Sequence, residues 1–302
     1  ILVNLRNTAE EARAIAGDTI YGERIDLLLE YMNGTYLGEE ATIDSCQALN
    51  SPSTIYRLTN DVTSNDTCFP IIGDGITLDC QGHSITTSAG YGVHIDEEDY
   101  YNVTDCVIDS AGYGVHAKNS KGGVVEHSNV SGAYLLGGSK AYVSNNDFTN
   151  SAIGLYISNV ENSTIQNNNI QSENSRAYYH HRSENSIITG NNVTGGSDYG
   201  IVVYGTENAT FTGNHYTSVS SNGAFVYQAS GNTFINDTAE SQETTGLRIY
   251  SGSDDNLFIG PSASGSPAIG VGNNDGNIIR DCREIIGEIS YDSAHTTVTN
   301  CS

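Results

Sequence analysis

The chain has 302 residues, with 33 glycines, 4 prolines, no tryptophan and 37% apolar residues. That is thin for a two-layer globule and suits an elongated fold sharing one narrow core. Its net charge of −24 argues against nucleic acid or an anionic membrane as partner and favours solubility, with cation binding as the sharper alternative. No apolar run approaches the roughly 18 residues of a membrane span.

Residues 1–45 precede any repeat and are expected to form an N-terminal helical cap or assembly segment. Thr8-Ala-Glu-Glu11 is a capping-box pattern opening a short helix, and Glu23 to Met32 reads as an amphipathic helix ended by Asn33-Gly34. A helix across the open end of a solenoid covers unpaired strands. The chain opens on Ile1, consistent with removal of a signal peptide or anchor.

From residue 46 to 302 one unit recurs. Its first apolar residue falls at Val103, Val125, Val143, Ile165, Ile188, Phe211, Phe234, Phe258, Ile279 and Val298, at spacings of 18 to 24 residues. No unit holds a helical i, i+3, i+4, i+7 pattern, so the repeat is a strand solenoid. A second strand follows each marker: "GVHI" at Gly92, "GVHA" at Gly114, "GLYI" at Gly154, "GIVV" at Gly200, "GLRI" at Gly246. Each coil therefore reads strand, polar turn, strand, Gly turn, with glycine expected to supply a positive φ. The predicted fold is all-β, a right-handed parallel β-helix of about ten to twelve coils.

Three residues after the markers stand Cys106, Ser128, Asn146, Asn168, Asn191, Asn214, Asp237, Pro261, Cys282 and Cys301. Small polar residues one coil apart form a hydrogen-bonded ladder that satisfies backbone groups at the corner. Stacking also selects one disulfide pairing: Cys46–Cys68, Cys80–Cys106 and Cys282–Cys301, each about one coil apart and within disulfide reach. No CxxC pair or Cys/His cluster supports a metal instead. Three such bridges imply an oxidising, extracellular or cell-surface location. Asn33, Asn65, Asn102, Asn129, Asn162, Asn192, Asn208 and Asn236 begin glycosylation sequons, several of which chance alone supplies in so Asn- and Ser-rich a chain.

"ITLDCQGHSI" at Ile76–Ile85, followed by "GYGVHI", resembles the pectin-lyase-like parallel β-helix repeat family. The wording is similar to that of cysteine-bearing archaeal cell-surface proteins, and the resemblance covers residues 46–302. It implies the fold but not the activity, because the family includes lyases, hydrolases, epimerases, tailspikes and surface proteins. Its pectate hydrolases carry N-T-D, D-D, G-H-G and R-I-K motifs in that order. Here Gly82-His83 is followed by Ser84, Arg248-Ile249 by Tyr250, and Asp254-Asp255 comes last. Its lyases need stacked carboxylates for calcium and a basic residue. Asp96, Glu97, Glu98 and Asp99 form an acidic turn that could take calcium, but Arg182 and Arg248 lie several coils away. No catalytic constellation and no other cofactor site is visible, and the balance leans against an enzyme.

One exterior stripe stands out. With Val93, Val115, Leu155, Ile201 and Leu247 inward, the alternating residues His94, His116, Leu136, Tyr156, His180, Val202, Val226 and Arg248 are expected to face out. Tyr91, Tyr113, Tyr199, Tyr204 and Tyr250 flank them. The parity of Tyr178-Tyr179-His180-His181 is ambiguous. Such a stripe is a decorated sheet face, a protein interface or a glycan platform. The sequence favours a structural or cell-surface protein that self-assembles head-to-tail or laterally into a layer, sheath or filament. In that arrangement the N-terminal segment, from Ile1-Leu2-Val3, meets a neighbour's final coil, Thr296–Cys301. The alternative is a polysaccharide-binding or polysaccharide-cleaving β-helix.

Overall fold

The computed structural model describes residues 39–149, 153–291 and 295–301. They form a right-handed parallel solenoid of three sheets, one of 13 strands and two of 11, in which every pairing between strands is parallel. Each coil passes through sheet 1 (the 13-stranded one), sheet 2 and sheet 3 before climbing one step. In one coil these strands are Thr77–Asp79, Ser84–Thr87 and Val93–Asp96. The expected N-terminal helices and Asn33 lie outside the described residues. Among the described residues pairing begins at Glu40–Ile43, which lies against Ile55–Leu58.

The markers stack in one column of sheet 1. Val103, Val125, Val143 and Ile165 are successive partners, and the column runs on through Phe211, Phe234 and Phe258 to Val298. Their side chains fill the narrow interior, where Phe211, Phe234 and Phe258 stack at 4.5 Å between centroids. Sheet 3 also stacks as expected, Val93 on Val115 and Leu247 on Ile269.

A coil has three strands rather than the expected two. The missed strands form sheet 2, among them Asn169–Ser172 and Asn192–Gly195, which bury one aliphatic residue each, Ile170 and Val193. The stretch "IQNNNI", Ile165 to Ile170, spans two strands and the corner between them. Ile165 points into the core from sheet 1 and Asn167 takes the left-handed conformation, φ 54°, that turns the chain. Asn168 is buried in the ladder, and Asn169 opens sheet 2. Asn tolerates the left-handed region better than most residues, so two consecutive asparagines serve two needs.

The glycines before the sheet 3 strands act differently from the expectation. Gly92, Gly114, Gly154, Gly200 and Gly246 do not have positive φ; a Cβ there would strike the neighbouring coil, at Gly154 within 2.7 Å of Ile170 Cγ2. Close approach of neighbouring side chains and backbone, not turn geometry, requires them.

The three disulfides pair as expected, Cys46–Cys68, Cys80–Cys106 and Cys282–Cys301, with Cα separations of 4.6, 4.8 and 4.7 Å. The asparagine column is a continuous hydrogen-bond ladder. Asn146 N and Nδ2 both donate to Asn168 Oδ1, Asn168 repeats this to Asn191, Asn191 to Asn214, and Asn214 to Asp237. A second ladder, Asn232–Asn256–Asn277, two residues before the markers, was not anticipated.

Candidate functional site

Sheet 3 carries on its outer face the largest array of ring contacts in the described chain. In register, one outward column is His94, His116, Tyr134, Tyr156, Tyr179, Val202, Phe225 and Arg248. The parallel one includes His181, Tyr204, Tyr227 and Tyr250. Rings meet continuously along them. Tyr91 stacks on His116 at 4.3 Å, His116 on Tyr134 at 5.2 Å, and Tyr134 on Tyr156 at 4.5 Å. Tyr156 meets Tyr179 edge-on at 5.0 Å. The path then crosses to His181, Tyr204, Tyr227 and Tyr250. Tyr113 contacts Tyr134, and Tyr199 stacks on Phe225.

Two expected members fall elsewhere. His180 and Val226 point into the core and are fully buried. His180 bridges the Tyr178 hydroxyl at 3.0 Å and the Ser183 carbonyl at 3.1 Å. The tyrosine pair decides the parity: Tyr178 takes the inward place of Leu155 and Ile201, so Tyr179 and His181 face out. Leu136 faces out in the second column, beside Ser158. Tyr134, Phe225 and Tyr227 were missed, while Tyr179 and His181 were open in the sequence. For Tyr134 and Phe225 the available signal was the alternation in "AYLL" and "AFVY", where alanine replaces the inward aliphatic.

Positive charge, scarce in this chain, gathers here. Of the nine described lysines and arginines, six lie in sheet 3 strands or within two residues of them: Lys118, Lys121, Lys140, Arg176, Arg182 and Arg248. Arg176 sits 4.7 Å over the Tyr179 ring and 3.5 Å from Asp198, and Arg248 lies over Phe225 and Tyr250. His94 and His116 face each other through Nδ1 atoms 3.1 Å apart. Burial, then the neighbouring His94, lower the pKa of His116, and burial lowers that of His181. Burial also raises the pKa of Tyr113, Tyr134 and Tyr179. The stripe presents phenols and imidazoles bordered by arginines. Because most rings cover one another's faces, solvent meets mainly ring edges, hydroxyls and nitrogens.

The acidic turn does not make a cation cage. Asp96 faces Lys118 at 3.6 Å, and Asp99 Oδ1 accepts from the Lys121 amide. Among the described residues no group of three or more His, Cys, Asp or Glu could hold a metal ion. Calcium at Asp96, Glu97, Glu98 and Asp99 is thus not supported by the geometry. Glu98 instead has a raised pKa, from burial and from repulsion by Asp74, Asp99 and Glu97.

The partial hydrolase motifs stay apart. His83 lies beside Asp61, 3.4 Å away, at the start of sheet 2, while Arg248 sits on sheet 3 several coils on. The core voids are about 10 Å³ each, room for one water at most.

Exposed sequons lie off the stripe. Asn65, Asn129, Asn192, Asn208 and Asn236 are exposed, Asn102 and Asn162 are partly covered, and none is in a sheet 3 strand. Among the described residues no helix is long and apolar enough to cross a membrane.

The family described as the right handed beta helix region matches residues 71–206 and 124–263. Solved structures of similar fold include the Dettilon tailspike protein, at 14% identity and TM-score 0.62, covering 94% of this chain and 65% of that one. A mutant of the periplasmic alginate epimerase AlgG matches at 10% identity and TM-score 0.64, covering 86% and 75%. The DFA-IIIase of Arthrobacter chlorophenolicus A6 with DFA-III matches at 10% and 0.58, covering 85% of each chain. The chain thus spans slightly under two thirds of the tailspike. No curated protein matches the sequence.

Proposed function

The chain belongs to the right-handed β-helix family, and we propose that it binds an extended, hydroxyl-rich polysaccharide along the outer face of sheet 3. The observation that carries this reading is the unbroken file of rings from Tyr91 to Tyr250. One coil rises about 4.8 Å, close to the length of one sugar unit in an extended chain, so successive hydroxyls and imidazoles meet successive sugars. Amphipathic rings suit that task because their edges hydrogen-bond while their bodies stay fixed at little entropic cost. The arginines offer places for acidic substituents. The face is also clear of sequons, so glycosylation elsewhere would leave it open. Among the described residues no set of groups converges for bond cleavage, and the reading is one of binding, outside the cell.

Affinity electrophoresis and calorimetry against neutral and uronate polysaccharides test it. Tyr134→Ala combined with Tyr156→Ala should weaken binding about tenfold or more, as expected for losing more than about 1.4 kcal/mol, without altering far-UV dichroism. Equal binding by the variant, or no binding of any polymer by the wild type, would falsify the reading. Release of new sugar ends would show cleavage instead.

Self-association, in a surface layer or filament, is a second reading. Exposed apolar side chains in the last described coil favour it: Ile285, Ile289 and Val298 are only partly covered, and Ile286 is 61% exposed. Sedimentation at rising concentration tests it. Ile286→Asp should lower any association, and a chain monomeric throughout would end this second reading.

A further inference from the structure

Asp237 closes the first ladder. In the four coils before it, each asparagine Oδ1 accepts hydrogen bonds from the coil below, while Nδ2 donates to a backbone carbonyl. Those carbonyls are Val125 for Asn146, Val143 for Asn168, Ile165 for Asn191 and Ile188 for Asn214. By register the next carbonyl in line is that of Phe211. At Asp237 the accepting half of the pattern is kept: Oδ1 takes Asn214 N at 2.7 Å and Nδ2 at 2.9 Å. The donating half is not, because an oxygen stands where the four asparagines carry an N–H. Asp237 Oδ2 is buried without a partner, and so is the Tyr216 hydroxyl; both residues line the same void of about 10 Å³.

We propose that Asp237 is held as an un-ionised carboxylic acid whose Oδ2–H supplies the missing donor, and that its ionisation is a pH-sensitive switch loosening these coils. An un-ionised acid restores the donor that the ladder pattern demands. A carboxylate would leave a buried charge with no partner at Oδ2 and no room for more than one solvating water. The position above is Pro261, which has no side-chain oxygen to carry the ladder further. Of the groups lining the void, Tyr216 is the only other titratable one, and no lysine, arginine or histidine is among them. Burial outweighs the donors from Asn214 and the Ile235 backbone and raises Asp237 to about 7, from an ordinary 3.8. Burial, reinforced by Asp237, also raises the Tyr216 phenol well above its usual range, so it stays neutral.

The sign follows from linkage. The folded chain keeps a proton that the unfolded chain loses above 3.8. Its stabilisation is therefore full below 3.8 and is lost as pH rises to about 7, with no further change above. Asp237→Asn should extend the ladder and abolish this dependence.

Urea unfolding of the full chain, disulfides intact, across pH 4.5 to 8.5 tests the switch. The ratio of wild-type to Asp237→Asn unfolding constants should rise by up to about tenfold per pH unit toward pH 7 and then level off. Parallel profiles overturn the proposal. Should the variant not fold, infrared spectra of the wild type decide. A carbonyl stretch of a buried un-ionised carboxyl at about pH 5.5, lost by about pH 8.5, supports the switch. A band absent at the lower pH, or unchanged at the higher, overturns it.

Discussion

His180 and Asp237 lie in one core and respond to the same pH window with opposite signs. Burial lowers His180 to about 4, since its ring sits between the Tyr178 hydroxyl and the Ser183 carbonyl with no acid to share a proton. A depressed histidine stabilises the fold above its unfolded value of 6.5, and that contribution is lost as pH falls toward about 4. The two effects oppose each other in the wild type, so its stability should be flatter in pH than either group alone would make it. Separating them requires a background without Asp237. In Asp237→Asn, acidification from pH 6.5 should lower stability by up to about 1.4 kcal/mol per pH unit, and adding His180→Gln should remove that slope. Urea midpoints at five or six pH values would check it; an unchanged slope would mean that His180 is protonated without penalty. The residue scale is also where the sequence was hardest to read. Tyr178-Tyr179-His180-His181 alternates two residues that can each point either way, and only pairing with Leu155 and Ile201 resolves it.

At the scale of elements, legibility followed apolar weight. The sheet 1 markers are large and regularly spaced, and their register could be read directly, as could the sheet 3 strands behind their glycines. Sheet 2 could not, because strands such as Asn169–Ser172 bury a single aliphatic among polar residues and look like turn. The first ladder was visible because asparagine repeats in a fixed column; the second escaped notice because serine and alanine hold its earlier places, at Ser163, Ser186 and Ala209. The stripe was half visible, since flanking tyrosines repeat while its outward columns mix His, Tyr, Val, Phe and Arg. The ladders make a prediction of their own. Asn191→Ala would strip the Asn168 amide and the Ile165 carbonyl of buried partners. At about 1–3 kcal/mol for each orphaned group, the variant should lose at least about 2 kcal/mol, read from urea unfolding. Asn192→Ala, one residue on and exposed, should lose almost nothing. Equal losses at the two positions would show that the ladder merely accompanies packing.

Over the described residues the molecule is a stack in which each coil meets only its neighbours, so stability is local. The bridges fit that distribution: two staple the first described coils and one the last, while the long middle has none. The middle can do without, since its coils bury phenylalanines and continuous ladders. The final coil cannot, for Ile285, Ile289 and Val298 are only partly covered and Cys301 anchors it to Cys282. Closing a loop of this size is worth about 3 kcal/mol. Replacing both Cys282 and Cys301 by serine should therefore free the last coil without unfolding the rest. Hydrogen exchange would show it. Amides of Ile289–Tyr291 and Thr297–Thr299 should lose protection by about a hundredfold (a loss of about 2.7 kcal/mol, taken as RT ln 100). Those of Thr164–Gln166 and Ile201–Tyr204 should keep theirs, and binding along the stripe, which ends at Tyr250, should be unaffected. Uniform loss along the solenoid would mean that the coils unfold as one unit and that the terminal bridge sets the stability of the whole.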